Sequence, residues 1–455
     1  MSSAPSPDRA AASGPAPRSA VRRELVRTLA GFARLPLELA DFWARRGSLR
    51  EELVDCLERP APLPPDPQPS VRTDRPLSVF VSCAEHSGQI HAVNLVRELR
   101  AELERRGAPP PNLVGLGGEP LARAGVTTLG NPVERAVMGF DGVASALPYY
   151  LNLLEDCAEH FRSSRPDVAV LVDSPALHIP LGRIARRYGV KVLHFVTPQH
   201  WGWAPWRAAG YARSVDRALT ILPFEPAWFE RRGVPVAHVG HPLQDRLARV
   251  PQGSAPTERL SLAVLPGSRE RVIDLNLPWM LEALAHVRER VPALDVRVLQ
   301  EHPEHQSRIA EHIAGARASD WAHVETGELH ASLRKASAAF SVSGTVLLDV
   351  LHHRLPTVCI YRVAKARDTL AYRSLLCTPW FASVNLLAAR EVVPEFCFRG
   401  RGPLEEVAGA LERALVDPQW RTEARRGLDL AALRLGPDGA CRRAALHALD
   451  LAGGA

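Results

Sequence analysis

The chain has 455 residues, more than one hydrophobic core holds, so two domains with additions are expected. It is 46% hydrophobic and 23% charged with a formal net charge of +6, the balance of a folded globular protein. No basic block interleaved with aromatics occurs, so no nucleic-acid partner is expected, and no apolar run is long enough to span a membrane, so any membrane contact is expected to be peripheral.

Residues 1–20 are rich in Ala, Ser and Pro and are expected to be disordered. Leu25, Leu29, Phe32, Leu39 and Phe42 recur at roughly helical spacing, which predicts a helix over 21–58 that Pro36 breaks or kinks. Arg22, Arg23, Arg27, Arg34, Arg45, Arg46 and Arg50 give it a basic face, and prolines from Pro60 to Pro69 make a stiff linker. From Leu77 onward apolar strands alternate with helices. Strands are predicted at Leu77–Val81, Val168–Val172, Lys191–Val196, Ala218–Leu222 and Val236–Val239, and helices at Ile90–Arg106 and Leu181–Tyr188. Pro251–Pro256 carries Gly, Ser and Pro without periodicity and reads as a domain boundary. A second series follows, with strands at Leu260–Val264, Leu294–Leu299, Ala338–Val342 and Thr357–Tyr361 and helices over 403–415 and 420–452. Continuous apolar strands alternating with helices predict parallel sheets covered on both faces.

The domains are therefore read as an extension and linker (1–74), a first Rossmann-like domain (75–255), a second (256–425) and a helical tail (426–455). Gly115-Leu116-Gly117-Gly118 has Pro120 where a dinucleotide fingerprint needs its third Gly, and no Walker A loop occurs. Two doubly wound domains in tandem fit a GT-B architecture better, with ligand groups at strand carboxyl ends. The seven scattered cysteines form no C-x-x-C and read as reduced thiols. His352 and His353, adjacent on one helix, face different ways, and no metal or other cofactor is expected.

Four segments carry candidate chemistry. Leu265-Pro266-Gly267-Ser268-Arg269 lies between a strand and a helix, where free N–H groups and an arginine fork suit a phosphate. Ser343-Gly344-Thr345 opens a helix bearing Asp349; it suits a diphosphate with Asp349 on the ribose, or is an ordinary helix start. Asp173, ending the run Val168–Val172, is either a general base or a turn or capping aspartate. Trp201, Trp203 and Trp206 either line an acceptor site or touch lipid, or pack a loop on the core.

Together these segments resemble lipid-A-disaccharide synthase, from about Leu77 to Phe396. The resemblance rests on an ordered set: Ala84-Glu85-His86-Ser87-Gly88-Gln89, Ala136-Val137-Met138-Gly139, Asp173-Ser174-Pro175, Thr197–Trp203, Leu222-Pro223-Phe224-Glu225, Gly240-His241-Pro242-Leu243, Leu265–Arg269, Ser343-Gly344-Thr345, and Asn385-Leu386-Leu387-Ala388 leading to Arg390 and Val393-Pro394-Glu395-Phe396. It implies a GT-B, inverting glycosyltransferase with a cleft between its domains. That enzyme moves 2,3-diacylglucosamine from its UDP ester to 2,3-diacylglucosamine 1-phosphate, giving the disaccharide 1-phosphate and UDP. It works peripherally on the cytoplasmic face of the inner membrane, in contact with anionic lipid, and a homodimer is left open. By position it assigns Asp173 as base. It gives Ser268, Arg269, Gly344, Thr345, Asp349, Asn385 and Arg390 to the UDP-sugar, and Glu85, Ser87, Gly88, Met138 and Trp201 to the acceptor side.

The chain departs from the family pattern at named places. Ala84 and Gln89 replace a Gly and an Asp of the first loop, Val272 stands where a Glu follows the arginine, and Ala176-Leu177-His178 replaces Asp-Phe-Asn after the Asp-x-Pro turn. Asp349 shortens a Glu, Val384 replaces a Pro and Phe398 a Gln. These changes fall mostly on the acceptor side. They keep open two alternatives: a non-catalytic UDP-binding protein at the membrane, and another GT-B enzyme of UDP-N-acetylglucosamine.

Overall fold

The computed structural model describes residues 14–70, 73–136, 143–252, 259–363 and 375–453. The strands are β1 (Ser78–Cys83), β2 (Asn112–Leu116), β3 (Thr127–Gly130), β4 (Val168–Val172), β5 (Lys191–Phe195), β6 (Arg217–Thr220), β7 (Val236–His238), β8 (Ser261–Leu265), β9 (Asp295–Gln300), β10 (Ala322–Thr326), β11 (Ala338–Val342), β12 (Thr357–Arg362) and β13 (Glu395–Phe398). The helices that concern the site are α1 (Pro17–Glu58), α2 (His86–Arg105), α3 (Pro175–Arg187), α4 (Glu270–Arg290), α5 (Leu329–Lys335), α6 (Val346–His352), α7 (Ser383–Ala388), α8 (Leu404–Val416), α9 (Pro418–Leu435) and α10 (Ala440–Gly453).

The chain divides into two compact units, 1–46 with 61–242 and 439–455, and 47–60 with 243–438. The first holds a parallel seven-stranded sheet in the order β3-β2-β1-β4-β5-β6-β7. The second holds a parallel six-stranded sheet in the order β10-β9-β8-β11-β12-β13. β4, β8 and β11 are buried along their whole length, as strands with helices on both faces must be. The first core joins β1, β4 and β5 to α2 and to Cys441, Ala444, Ala445, Ala448 and Leu449 of α10. The second joins β8, β9, β11 and β12 to α4 and α8.

Each sheet is doubly wound. Strand order reverses between β1 and β4 in the first unit and between β8 and β11 in the second, and such reversals open a crevice at the strand carboxyl ends. Two expectations change. α1 begins at Pro17 and runs through Pro36 as one helix: Pro36 is solvent-exposed, so water can satisfy the carbonyl its missing N–H leaves free. The helical run expected over 420–452 is two helices, because Gly436 and Gly439 hold positive φ (83° and 88°) on either side of Pro437.

Candidate active site

In the first unit the reversal brings together the loop after β1 and the turn after β4. Glu85 is the N-cap residue of α2, Glu85 and Ser87 are exposed, and Gly88 lies buried beneath Asp173. A Cβ at Gly88 would sit 3.4 Å from the Asp173 Cβ and 3.3 Å from the Val172 carbonyl oxygen. Gly88 and Asp173 are thus adjacent, and the charge of Glu85 acts on Asp173. Met138 lies outside the described residues.

Asp173 and Ser174 both take left-handed backbone, φ 58° and 47°, and Val196 at the end of the neighbouring β5 does so too, φ 69°. For a β-branched residue this is a genuine outlier, and such strain persists only where surrounding structure holds it. The holding groups are visible. His178 donates from Nδ1 to the Asp173 carbonyl oxygen at 2.6 Å, and His194 donates from Nε2 to the same oxygen at 2.9 Å. The Ser82 hydroxyl donates to His178 Nε2 and the Tyr211 hydroxyl to His194 Nδ1, each at 2.8 Å. Burial pushes His178 down to about 3 and His194 to about 4, so both rings are neutral at physiological pH and their tautomers are set by these partners. His178, at a position where the sequence leaves the family pattern, is thus half of a two-imidazole clamp on the candidate base. Nothing in the sequence joined residues 82, 178, 194 and 211; the register of β1 and β5 against β4 aligns Ser82 with His194, and two helices supply His178 and Tyr211.

The Asp173 carboxyl is pushed up to about 6, first by burial and then by the charge of Glu85, with the Ser174 N–H drawing it partly back. The N-cap residue of α3 is Ser174, not Asp173, and Ser174 makes no side-chain cap bond.

Other acceptor-side positions turn inward. Gln89 is buried and its Oε1 accepts from the Gly118 N–H at 2.7 Å, tying α2 to the loop after β2. Gly115 in that strand is a packing glycine, since a Cβ there would lie 1.7 Å from the Val81 carbonyl oxygen. Trp201 is buried: its Nε1 donates to Glu225 at 3.0 Å and its ring meets Phe224 edge-on at 4.9 Å. It packs its loop on the core.

In the second unit the reversal brings together the turns after β8 and β11. Gly267 has φ 117°, and a Cβ there would lie 2.5 Å from Val272 Cγ1, so the turn requires glycine. Ser268 and Arg269 are exposed at the start of α4, with Arg269 its N-cap residue. After β11, Gly344 has φ 157°, Thr345 is exposed before α6, and the Ser343 hydroxyl donates to the Phe381 carbonyl. Asp349 is buried on α6 and accepts from Arg246 at 2.6 Å, with His330 of α5 at 3.5 Å. Burial raises it to about 6, Arg246 lowers it and Glu301 raises it.

Asn385 differs from its expected role. It is fully buried on α7, and its amide donates to Val393 O and Glu395 Oε2 and accepts from the N–H groups of Val392 and Val393. All four of its hydrogen-bonding positions are filled, leaving none for a nucleotide. Glu395, raised to about 7 by burial, in turn accepts from the N–H groups of Phe381 and Ala382. The Asn385–Glu395 motif therefore supports the segment that meets Ser343. Arg390 is exposed and lines a groove of about 260 Å³ with Glu391, Trp420, Glu423 and Gly427.

A family model described as Lipid-A-disaccharide synthetase matches residues 79–422. The lipid-A-disaccharide synthase of Geobacter sulfurreducens is 32% identical over 386 residues, covering 82% of this chain and 97% of that protein. That of Myxococcus xanthus is 34% identical over 383 residues, covering 83% and 98%. Among solved structures, the S. aureus MnaA-UDP co-structure superposes with a TM-score of 0.54 at 11% identity, over 80% of this chain and 94% of that one, a likeness of fold alone.

Proposed function

The chain belongs to the lipid-A-disaccharide synthetase family, and from that premise we propose that it transfers 2,3-diacylglucosamine from its UDP ester to the 6-hydroxyl of 2,3-diacylglucosamine 1-phosphate, with inversion at the anomeric carbon. Membership makes it a glycosyltransferase of lipid A synthesis with the GT-B fold and a UDP-sugar donor. The finer reading is carried by one observation: a carboxyl held near pKa 6 stands at the strand reversal of the first unit, and an arginine-bearing phosphate turn stands at that of the second.

In this reading Asp173 takes the proton of the acceptor hydroxyl as its oxygen attacks the anomeric carbon. The bond from that carbon to the β-phosphate oxygen breaks, and UDP leaves with the electron pair. Arg269 and the main-chain N–H groups at Ser268, with the N–H and hydroxyl groups of Gly344 and Thr345, take up the charge developing on the diphosphate. Asp349 is the candidate for the ribose hydroxyls. The His178–His194 clamp fixes the backbone that aims Asp173. Lipid substrates place the reaction at the inner face of a membrane; none of the described helices is long and apolar enough to cross one.

Purified protein incubated with both acylated sugars should yield the tetra-acylated disaccharide 1-phosphate and equimolar UDP by mass spectrometry. UDP binding without product would replace this reading with a non-catalytic one. Turnover of a non-acylated UDP-N-acetylglucosamine with a soluble acceptor would replace it with another GT-B activity.

A further inference from the structure

The segment before residue 79 precedes the family match and contains α1, whose residues 17–46 belong to the first unit. One side of this stretch is anchored. Glu24 is buried, with Arg27 at 2.7 Å and Arg183 of α3 at 2.6 Å, and Phe42 is buried edge-on to Trp206 at 5.3 Å. The Tyr188 hydroxyl donates to the Pro15 carbonyl at 2.9 Å. The helix is therefore fixed in rotation.

From Val26 to Ala44 the opposite side faces water and is apolar. Val26, Leu29, Phe32, Leu37 and Trp43 are all more than half exposed, Phe32 at 65% and Leu37 at 76%. At 100° per residue these five fall within an arc of about 140°. Ala33, Pro36, Ala40 and Ala44, all exposed, fall within the same arc, and Ala30 lies about 20° beyond its edge. Arg23, Arg27, Arg34 and Arg45 form a stripe along one border of it, spread over about 40°. Residues 17–46 hold seven arginines against three acids, of which Glu24 is buried in its ion pairs and Asp41 pairs with Arg45. An exposed apolar face bordered by arginine, with Phe and Trp upon it, has the chemistry of a helix lying in a bilayer interface, its rings among the acyl chains and its guanidinium groups at anionic headgroups.

We infer that α1 is a membrane-docking helix, its exposed face inserting into an anionic bilayer. A second copy of the chain would cover the apolar face but would gain nothing from the arginine border, whereas an anionic surface uses both. The docked helix bears on the candidate site. Trp206, which holds Phe42, lies in the loop after β5, the strand whose carboxyl end neighbours Asp173. Docking through α1 brings that end of the sheet to the lipid surface, where an acylated acceptor resides. The biological sense of this rests on the acylated-sugar reading, but vesicle binding is measured with neither sugar present, so each can fail alone.

The test is flotation of the full chain with phosphatidylglycerol or phosphatidylcholine vesicles. The wild type is expected to float with phosphatidylglycerol and to be released as salt rises. The triple variant Leu29→Glu, Phe32→Glu, Leu37→Glu alters only exposed side chains. It is expected to keep the wild-type melting curve and lose at least tenfold in partitioning. Arg23→Ala with Arg34→Ala is expected to lose about fivefold per arginine and to flatten the salt dependence. Equal flotation of wild type and triple variant overturns the inference, as does a wild type that ignores both vesicles. It is equally overturned if the wild type sediments as a dimer that the triple variant dissociates while vesicles have no effect.

Discussion

Replacing Asp173 by Asn separates a catalytic carboxylate from a structural one, because the two predict opposite signs of stability. The Asp173 carboxyl is raised from 3.8 to about 6 in the folded protein. A raised carboxyl favours the fold only while protonated: its contribution is complete below about pH 3.8 and is lost as pH rises through 6. That rise of the carboxyl corresponds to about 3 kcal/mol at most, lost by pH 8. Asn keeps the shape and an oxygen that can accept from Ser174, and is neutral at every pH. Asp173→Asn should therefore match the wild type near pH 4 and exceed it by up to about 3 kcal/mol above pH 7 in urea titrations. Its turnover should fall roughly 10²–10⁴-fold with UDP affinity unchanged. In the wild type, kcat/KM should rise with pH through about 6, and Glu85→Gln should move that midpoint downward by removing a neighbouring charge. A variant less stable than wild type at every pH, or a wild-type profile flat between pH 5 and 7, would refute the assignment of Asp173 as a base.

Arg269→Ala should weaken UDP binding in calorimetry and lower kcat/KM together, since an exposed arginine at a helix start costs the fold little; unchanged nucleotide affinity removes it from the site. His178→Ala leaves the Ser82 hydroxyl without its acceptor and the Asp173 carbonyl with one imidazole in place of two, so kcat should drop by roughly 10²-fold while UDP affinity holds. His178→Asn, which restores a donor, should recover part of that loss, and a loss of melting temperature with kcat intact would make the residue merely structural. Asn385→Ala strands several buried polar groups and should destabilise the protein by about 2–4 kcal/mol, seen in the urea midpoint; a binding defect in a protein of native stability would contradict its buried role.

Strands whose two faces are covered announced themselves as unbroken apolar runs, as at Val168–Val172 and Ala338–Val342. β3, β10 and β13, none of them anticipated, are sheet edges, where half-exposed positions carry Thr, Glu and His and the pattern dissolves. Asp173 and Gly267-Ser268-Arg269 were legible because a polar residue directly after a buried strand has one place to go, the carboxyl edge of the sheet. Asn385 shows the converse. Its motif reads the same whether its amide meets a ligand or its own backbone, and only the four filled hydrogen-bonding positions decide. The clamp on Asp173 could not be read because its four side chains span residues 82 to 211 and come from two strands, β1 and β5, and from two helices that no local pattern joins.

The return of the last helix to the first unit bears on how the molecule is made. Cys441, Ala444, Ala448 and Leu449 complete a core begun more than 350 residues earlier, so residues 440–453 must be synthesised before that core closes. Nascent chains lacking α10 would show α2 and β5 an apolar surface with nothing upon it. A truncation that removes α10, though far along the sequence from Asp173, would strike the unit that carries it.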